Sequence, residues 1–274
     1  MSIHSRRDFL GHGMAGAAAL ALGARTAVAQ DWAKSILAKS LRKNEWVTVK
    51  NGARTVDAFV ARPESSAKAP AMVVIHEIFG MTDWVQNVTD EFAAAGWISI
   101  APDLLSGMTP DGKPARNLPM SDAGGMIRNL PQDQITADLN ACVEYVKALP
   151  SCNGKVSVVG FSWGGSQCFR FATNRKDLSG AFVFYGSGPD AADFPRIQAP
   201  VYGFYGGNDA RIGASVPATT EGMKAANKVF EPVTYEGAGH GFMRSGTDPN
   251  GSEADKKARE AAWARLKSLA GNYT

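Results

Sequence analysis

Val156-Ser157-Val158-Val159-Gly160-Phe161-Ser162-Trp163-Gly164 decides how the rest of this chain is read. Four apolar or small residues make a short strand, and the stretch after Trp163 is compatible with a helix. The glycines two residues before and two after Ser162 let strand and helix approach closely. A serine in so sharp a strand–turn–helix junction sits in a strained backbone with its hydroxyl exposed, which is the context that gives a G-x-S-x-G pattern its meaning. The helix N-terminus behind it supplies positive potential where negative charge would form on a substrate oxygen.

Outward from the junction, apolar runs alternate with helical ones. Upstream, Trp46 to Lys50 and Thr55 to Ala61 alternate at period two around Asn51-Gly52, a hairpin signature. Ala71 to Ile75 is uniformly apolar, as for a strand buried on both faces. Helices are expected over Asp83 to Ala95, Gln134 to Leu149, Val216 to Lys228 and Glu253 to Leu269. Strands are expected at Trp97 to Ala101, Ala181 to Tyr185, Val201 to Tyr205 and Val233 to Tyr235. The alternation predicts an α/β protein with one mostly parallel sheet and helices on both faces. Ser106 to Gln132 breaks the series: it is rich in Gly, Pro, Asp and Met, shows no period, and reads as a lid or pocket wall in preference to an idle loop.

A serine hydroxyl is a weak nucleophile unless a base takes its proton, and histidine is the usual base. The chain has four histidines, and His4 and His12 lie in its first 29 residues, leaving His76 and His240. His240, in the Gly-rich Gly237-Ala-Gly-His-Gly-Phe242 after the last strand, is the better candidate; His76 ends the first buried strand and is expected to shape the pocket. A satisfied core histidine is the competing reading of either. The acid that orients the base is expected after a strand between serine and histidine. Asp209, in Gly206-Gly-Asn-Asp209, fits, with Asp190 and Asp193 as fallbacks and a helix-capping aspartate as its alternative reading. Oxyanion donors are expected from the Trp163 and Ile78 backbone N–H groups.

The whole pattern resembles the α/β-hydrolase fold, and within it the dienelactone hydrolases (carboxymethylenebutenolidases). The residues carrying the resemblance are Glu77-Ile-Phe-Gly80, Pro102-Asp-Leu104, Gly160-Phe-Ser-Trp-Gly-Gly165, Gly206-Gly-Asn-Asp209 and His240-Gly-Phe-Met-Arg244. The resemblance implies hydrolysis of a lactone or related ester through an acyl-enzyme, with no metal or organic cofactor. It also implies a substrate-binding role for Arg244; Glu77 and His76, at the loop after the first buried strand, are expected among the substrate-binding residues as well. Two departures stand out. The family's nucleophile is typically cysteine, activated with help from a glutamate at position 77, whereas position 162 is serine. The second carboxylate-binding arginine of the family falls at Gly107; Arg211, just beyond Asp209, is a candidate substitute, and a surface arginine at a helix start is the preferred reading of it. A general short-acyl carboxylesterase is therefore one rival reading, and a binding protein that keeps the fold without turnover is another.

At the N-terminus, Ser5-Arg6-Arg7-Asp8-Phe9-Leu10 precedes a Gly/Ala-rich apolar run, and Ala27-Val28-Ala29 fits a signal-peptidase site. Residues 1–29 are thus expected to be a twin-arginine signal peptide, recognised by that export machinery and removed to place residues 30–274 in the periplasm or outside as a single domain. The run is shorter than the ~20 residues that span a bilayer, so no stable membrane anchor is expected. Loss of Arg6, Arg7 and Arg25 with Asp8 lowers the formal charge from +3 to +1, which argues against a nucleic-acid partner. Three cysteines cannot all pair within one chain; Cys142 and Cys152 could bridge, or all three could be buried thiols. None has zinc-site spacing.

Overall fold

The computed structural model describes residues 30–109, 112 and 114–271; the expected signal peptide lies outside them. Helix α1 (Asp31–Leu37) leads into a hairpin of β1 (Asn44–Asn51) and β2 (Arg54–Ala61). Then come β3 (Ala69–Ile75), α2 (Asp83–Ala94), β4 (Ile98–Pro102), α3 (Met120–Arg128), α4 (Gln132–Lys147), β5 (Cys152–Phe161) and α5 (Trp163–Asn174). The chain continues through β6 (Ala181–Phe184), β7 (Val201–Gly206), α6 (Ala210–Gly213), α7 (Val216–Ala225), β8 (Phe230–Tyr235), α8 (Phe242–Ser245) and α9 (Glu253–Ala270). All eight strands form one sheet in the order β1-β2-β4-β3-β5-β6-β7-β8. The β1/β2 and β2/β4 pairs are antiparallel, and every pair from β4 to β8 is parallel. This is the α/β-hydrolase arrangement.

Period-two alternation along the strands sorts their side chains into two cores. Val73, Ile75, Ile100, Val156, Val158 and Val183 face Leu139 and Val143 of α4 and Phe169 of α5. Val74, Val159, Phe161, Phe184 and Phe204 face Trp84, Val88 and Phe92 of α2 and Leu266 of α9. The second layer is aromatic where β5, β6 and β7 run side by side, with Phe184 stacked on Phe204 at 4.2 Å between centroids and Trp84 edge-on to Phe161 at 5.0 Å. Full burial of each such ring contributes ~1.5–3 kcal/mol, and the set fixes the strands whose C-terminal ends carry the site.

Two expectations change in detail. The hairpin loop is Gly52-Ala53 rather than Asn51-Gly52, because Asn51 pairs with Arg54 across the ladder and Gly52 takes the positive φ of 59°. A buried carboxylate sets this register: Asp138 on α4 accepts from Asn51 Nδ2 at 2.7 Å and from Arg54 Nε at 3.1 Å. The stretch from Ser106 to Gln132 is not structureless. It holds a 3-10 turn (Ala115–Asn117) and α3, whose Ala123, Gly124 and Ile127 are buried. Arg54 also fastens the start of this stretch by donating to the Leu104 and Ser106 carbonyls.

Cys142, Cys152 and Cys168 are buried free thiols, and burial pushes the Cys142 and Cys168 thiols well above their usual range. Among the described residues no helix is long and apolar enough to cross a membrane.

Asp103, just past β4, is 1 % exposed; its Oδ1 accepts from the Leu105 N–H at 3.2 Å and its Oδ2 has no partner. Burial raises its pKa from 3.8 to about 6. The folded state therefore holds this proton more tightly than the unfolded chain, so the contribution favours folding below pH 4 and is lost as pH rises through 6. Asp103→Asn removes that dependence. Relative to the wild type, its urea-unfolding free energy is expected to improve by about 2–3 kcal/mol between pH 4 and pH 7.5. An equal difference at both pH values would contradict the assignment.

Candidate active site

Ser162 directly follows β5 and occupies the N-cap position of α5 with φ 56° and ψ −116°, a backbone conformation rarely open to a side chain with a Cβ. The strain is held because the Ser162 N–H donates to the Phe184 carbonyl at 3.0 Å and its own carbonyl accepts from the Ser166 N–H at 3.1 Å. Room for the turn comes from the flanking glycines. A Cβ on Gly160 would collide with the Gly164 carbonyl, and one on Gly164 with the His76 carbonyl.

The sheet brings the three separated residues together. Ser162 Oγ lies 2.8 Å from His240 Nε2, and His240 Nδ1 lies 2.5 Å from Asp209 Oδ2. An ionised carboxylate only accepts, so Nδ1 carries the proton and Nε2 faces the serine as an acceptor. Asp209 is 8 % exposed and also accepts from the Ile212 N–H through Oδ1 at 3.3 Å. Helix capping and histidine binding are thus not alternatives here; one carboxylate does both. The fallbacks are engaged elsewhere, Asp190 capping a 3-10 turn and Asp193 paired with Arg196.

His240 is seated on two supports that sequence reasoning missed. The Tyr185 ring meets it edge-on at 5.1 Å, and Tyr185 holds a positive φ of 40° to reach that place. Asp255, in the first turn of α9, accepts from the Gly239 N–H at 2.9 Å and the Ser245 hydroxyl at 2.9 Å, clamping both sides of the histidine loop. No local sequence signal marks Asp255, which reads as one more acid at a helix start.

A cleft of ≈ 340 Å³ opens over Ser162, with Ile78, Trp163 and Tyr185 in its walls. Arg128, from the end of α3, and Arg211, from α6, also line it. The stretch between Ser106 and Gln132 therefore does supply a pocket wall. Among the described residues the Ile78 and Trp163 N–H groups donate to no backbone acceptor outside the regular elements, and both residues line the cleft with Ser162.

His76, Glu77 and Arg244, expected to bind substrate, are not among the cleft-lining residues. His76 is fully buried, donates from Nδ1 to the Glu77 carbonyl at 2.7 Å, and stacks on Trp163 at 5.5 Å. Burial lowers its pKa to about 4, so it is neutral at pH 7. Glu77 is 2 % exposed and receives Arg244 Nε at 2.8 Å. The Glu77 carboxylate beside it, outweighing burial, raises the Arg244 pKa further. Gly107 is exposed with φ 69°. Among the described residues no group of three or more His, Cys, Asp or Glu could hold a metal ion.

Residues 56–274 match the dienelactone hydrolase family. The chain belongs to this family of hydrolases. Proteins named "Putative carboxymethylenebutenolidase" are similar over most of their length. That of Salmonella typhimurium is 30 % identical, covering 79 % of this chain and 82 % of its own. That of Methylorubrum extorquens is 27 % identical, covering 98 % and 93 %. Among solved structures, a dienelactone hydrolase-like promiscuous phosphotriesterase from metagenomic libraries superposes with a TM-score of 0.69 at 22 % identity, over 85 % of this chain and 99 % of that one. At that identity the likeness speaks for the fold alone.

The Asp255 clamp has a kinetic consequence. Asp255→Ala frees both ends of the histidine loop and is expected to lower kcat on 4-nitrophenyl acetate by roughly tenfold or more, with a smaller change in KM. Unaltered kcat would show that Tyr185 and Asp209 suffice to hold His240.

Proposed function

We propose that the protein hydrolyses a lactone or carboxylic ester through an acyl-enzyme on Ser162, with His240 as general base and Asp209 as its orienting acid. The observation that carries this reading is the continuous Ser162–His240–Asp209 hydrogen-bonded chain at the mouth of a cleft. In the forward step Ser162 Oγ attacks the acyl carbon while its proton passes to His240 Nε2. The Ile78 and Trp163 N–H groups receive the oxyanion. The protonated histidine then gives its proton to the departing alkoxide, and water repeats the sequence on the acyl-serine.

Serine in place of cysteine shifts the burden of activation. A thiol approaches ionisation near neutral pH, whereas a hydroxyl requires a base in contact during attack. His240 Nε2, at 2.8 Å, is that base. Glu77 is bound to Arg244 and lies outside the cleft, so in this reading it holds the loop that carries Ile78 and moves no proton.

The signature at residues 5–29 further supports action in the periplasm or outside the cell after twin-arginine export, with residues 30–274 as the mature domain. Replacing Arg6 and Arg7 with lysine is expected to leave the precursor uncleaved in the cytoplasm on fractionation; unchanged periplasmic yield would exclude that route.

For the chemistry, Ser162→Ala in the mature protein is expected to lower kcat on 4-nitrophenyl acetate by about 10³-fold or more while the circular dichroism spectrum is retained. Turnover that survives the substitution would overturn the nucleophile assignment.

A further inference from the structure

His76 is fully buried and is not among the cleft-lining residues, yet it contacts both segments from which oxyanion donors are expected. Its Nδ1 lies 2.7 Å from the Glu77 carbonyl, and a carbonyl only accepts, so Nδ1 carries the proton. That carbonyl belongs to the peptide unit whose nitrogen is Ile78. A trans peptide is planar, with its C=O and N–H directed oppositely, so a bond that fixes the Glu77 carbonyl also fixes where the Ile78 N–H points. The Gly80 N–H donates to the same oxygen at 3.2 Å, across a turn that Gly80 closes with φ 76°. The imidazole face stacks on Trp163, with 5.5 Å between centroids and 13° between planes. The other ring nitrogen, Nε2, is buried with no hydrogen-bond partner among the described residues. A phenylalanine would fill the same stack without leaving a buried nitrogen unpaired, so packing alone does not account for a histidine here.

We infer that His76 is a positioning residue for the oxyanion site, orienting the Glu77–Ile78 peptide and the Trp163 side of the nucleophile turn so that their two N–H groups converge on the acyl oxygen. The inference rests on the Ser162 hydrolase reading and deepens it. His76 touches no substrate and moves no proton. It acts through the peptide: a donor at the carbonyl end polarises the amide and strengthens the N–H at the other end, while the planar unit is kept from rotating. Donors set in place before negative charge develops need no reorganisation when it does. Burial keeps the ring neutral at pH 7, so it remains the same single donor throughout the cycle while His240 gains and loses its proton.

The test separates the two contacts. His76→Phe keeps a ring against Trp163 and removes the donor; His76→Asn removes the stack and places an amide Nδ2–H close to the position of Nδ1. Titration with a fluorophosphonate refers every rate to folded, active protein. On 4-nitrophenyl acetate, His76→Phe is expected to lower kcat by roughly 10–100-fold with KM little changed, and His76→Asn to recover much of that loss. The specific readout is inhibition by trifluoroacetone compared with its alcohol, trifluoroisopropanol. Ser162 Oγ adds to the ketone carbon, its proton passes to His240, and the C=O electron pair moves onto the oxygen that the two N–H groups hold; the alcohol has no carbonyl to attack. His76→Phe is expected to raise the ketone Ki by about the factor lost in kcat/KM and to leave the alcohol Ki unchanged. Equal losses for ketone and alcohol, wild-type kcat in His76→Phe, or a His76→Asn variant slower than His76→Phe would overturn the role. In the wild type, nitrogen NMR of labelled histidine is expected to show His76 protonated at Nδ1 alone, and an Nε2–H tautomer would overturn it without any substitution. Failure of the underlying reading looks different: Ser162→Ala would then retain turnover, and the wild type would bind ketone and alcohol alike.

Discussion

Ser162 is held at φ 56° between β5 and α5, and the rest of the molecule is arranged so that this one residue can stay there. Such a conformation costs on the order of 1–3 kcal/mol and persists only where the surroundings over-determine it. Here they do. The neighbouring strand supplies the Phe184 carbonyl, the flanking glycines remove the Cβ atoms that would prevent close approach, and the aromatic layer of Phe161, Phe184 and Phe204 locks the three strands in register. What the strain achieves is position. Oγ follows the end of β5, and the loops after β7 and β8, two and three strands away in the same parallel run, carry Asp209 and His240.

Charge is divided around that point in a way the family pattern does not foretell. Glu77 and Arg244 satisfy each other, so a buried acid and a half-buried base are both engaged away from the cleft lining. A pair with its carboxylate buried contributes little net stability, because desolvation offsets the attraction, yet leaving that carboxylate unpaired is costly. It serves better to fix a loop than to drive folding. The cationic character of the cleft itself comes from Arg128 and Arg211.

Much of this was legible in the sequence, for identifiable reasons. The buried parallel strands announce themselves as unbroken apolar runs, and Gly160 to Gly164 encodes a turn that few other residues permit. His240 emerged by elimination and Asp209 by its place in the chain. The remainder depends on contacts between distant segments. Helix α3 was hidden because Gly124 and Gly125 are poor helix formers, and packing of Ala123, Gly124 and Ile127 overrides that preference. The hairpin turn moved by one residue because Asp138, on another element, claims Asn51 and Arg54. Asp255 and Arg128 carry no local signature at all, and their importance lies in what the fold sets beside them. The partners of His76, Glu77 and Arg244 were likewise hidden: His76 meets the Glu77 carbonyl and Trp163, and Glu77 meets Arg244 from 167 residues away in the chain.

The account stands on Ser162 being a nucleophile that His240 activates. Its most direct test is covalent labelling of the mature protein with a fluorophosphonate, followed by intact mass and peptide mapping. The expected result is a single adduct, mapped to Ser162, whose rate of formation collapses in His240→Gln. An adduct on another residue, or labelling of Ser162 that proceeds equally fast without His240, would contradict it.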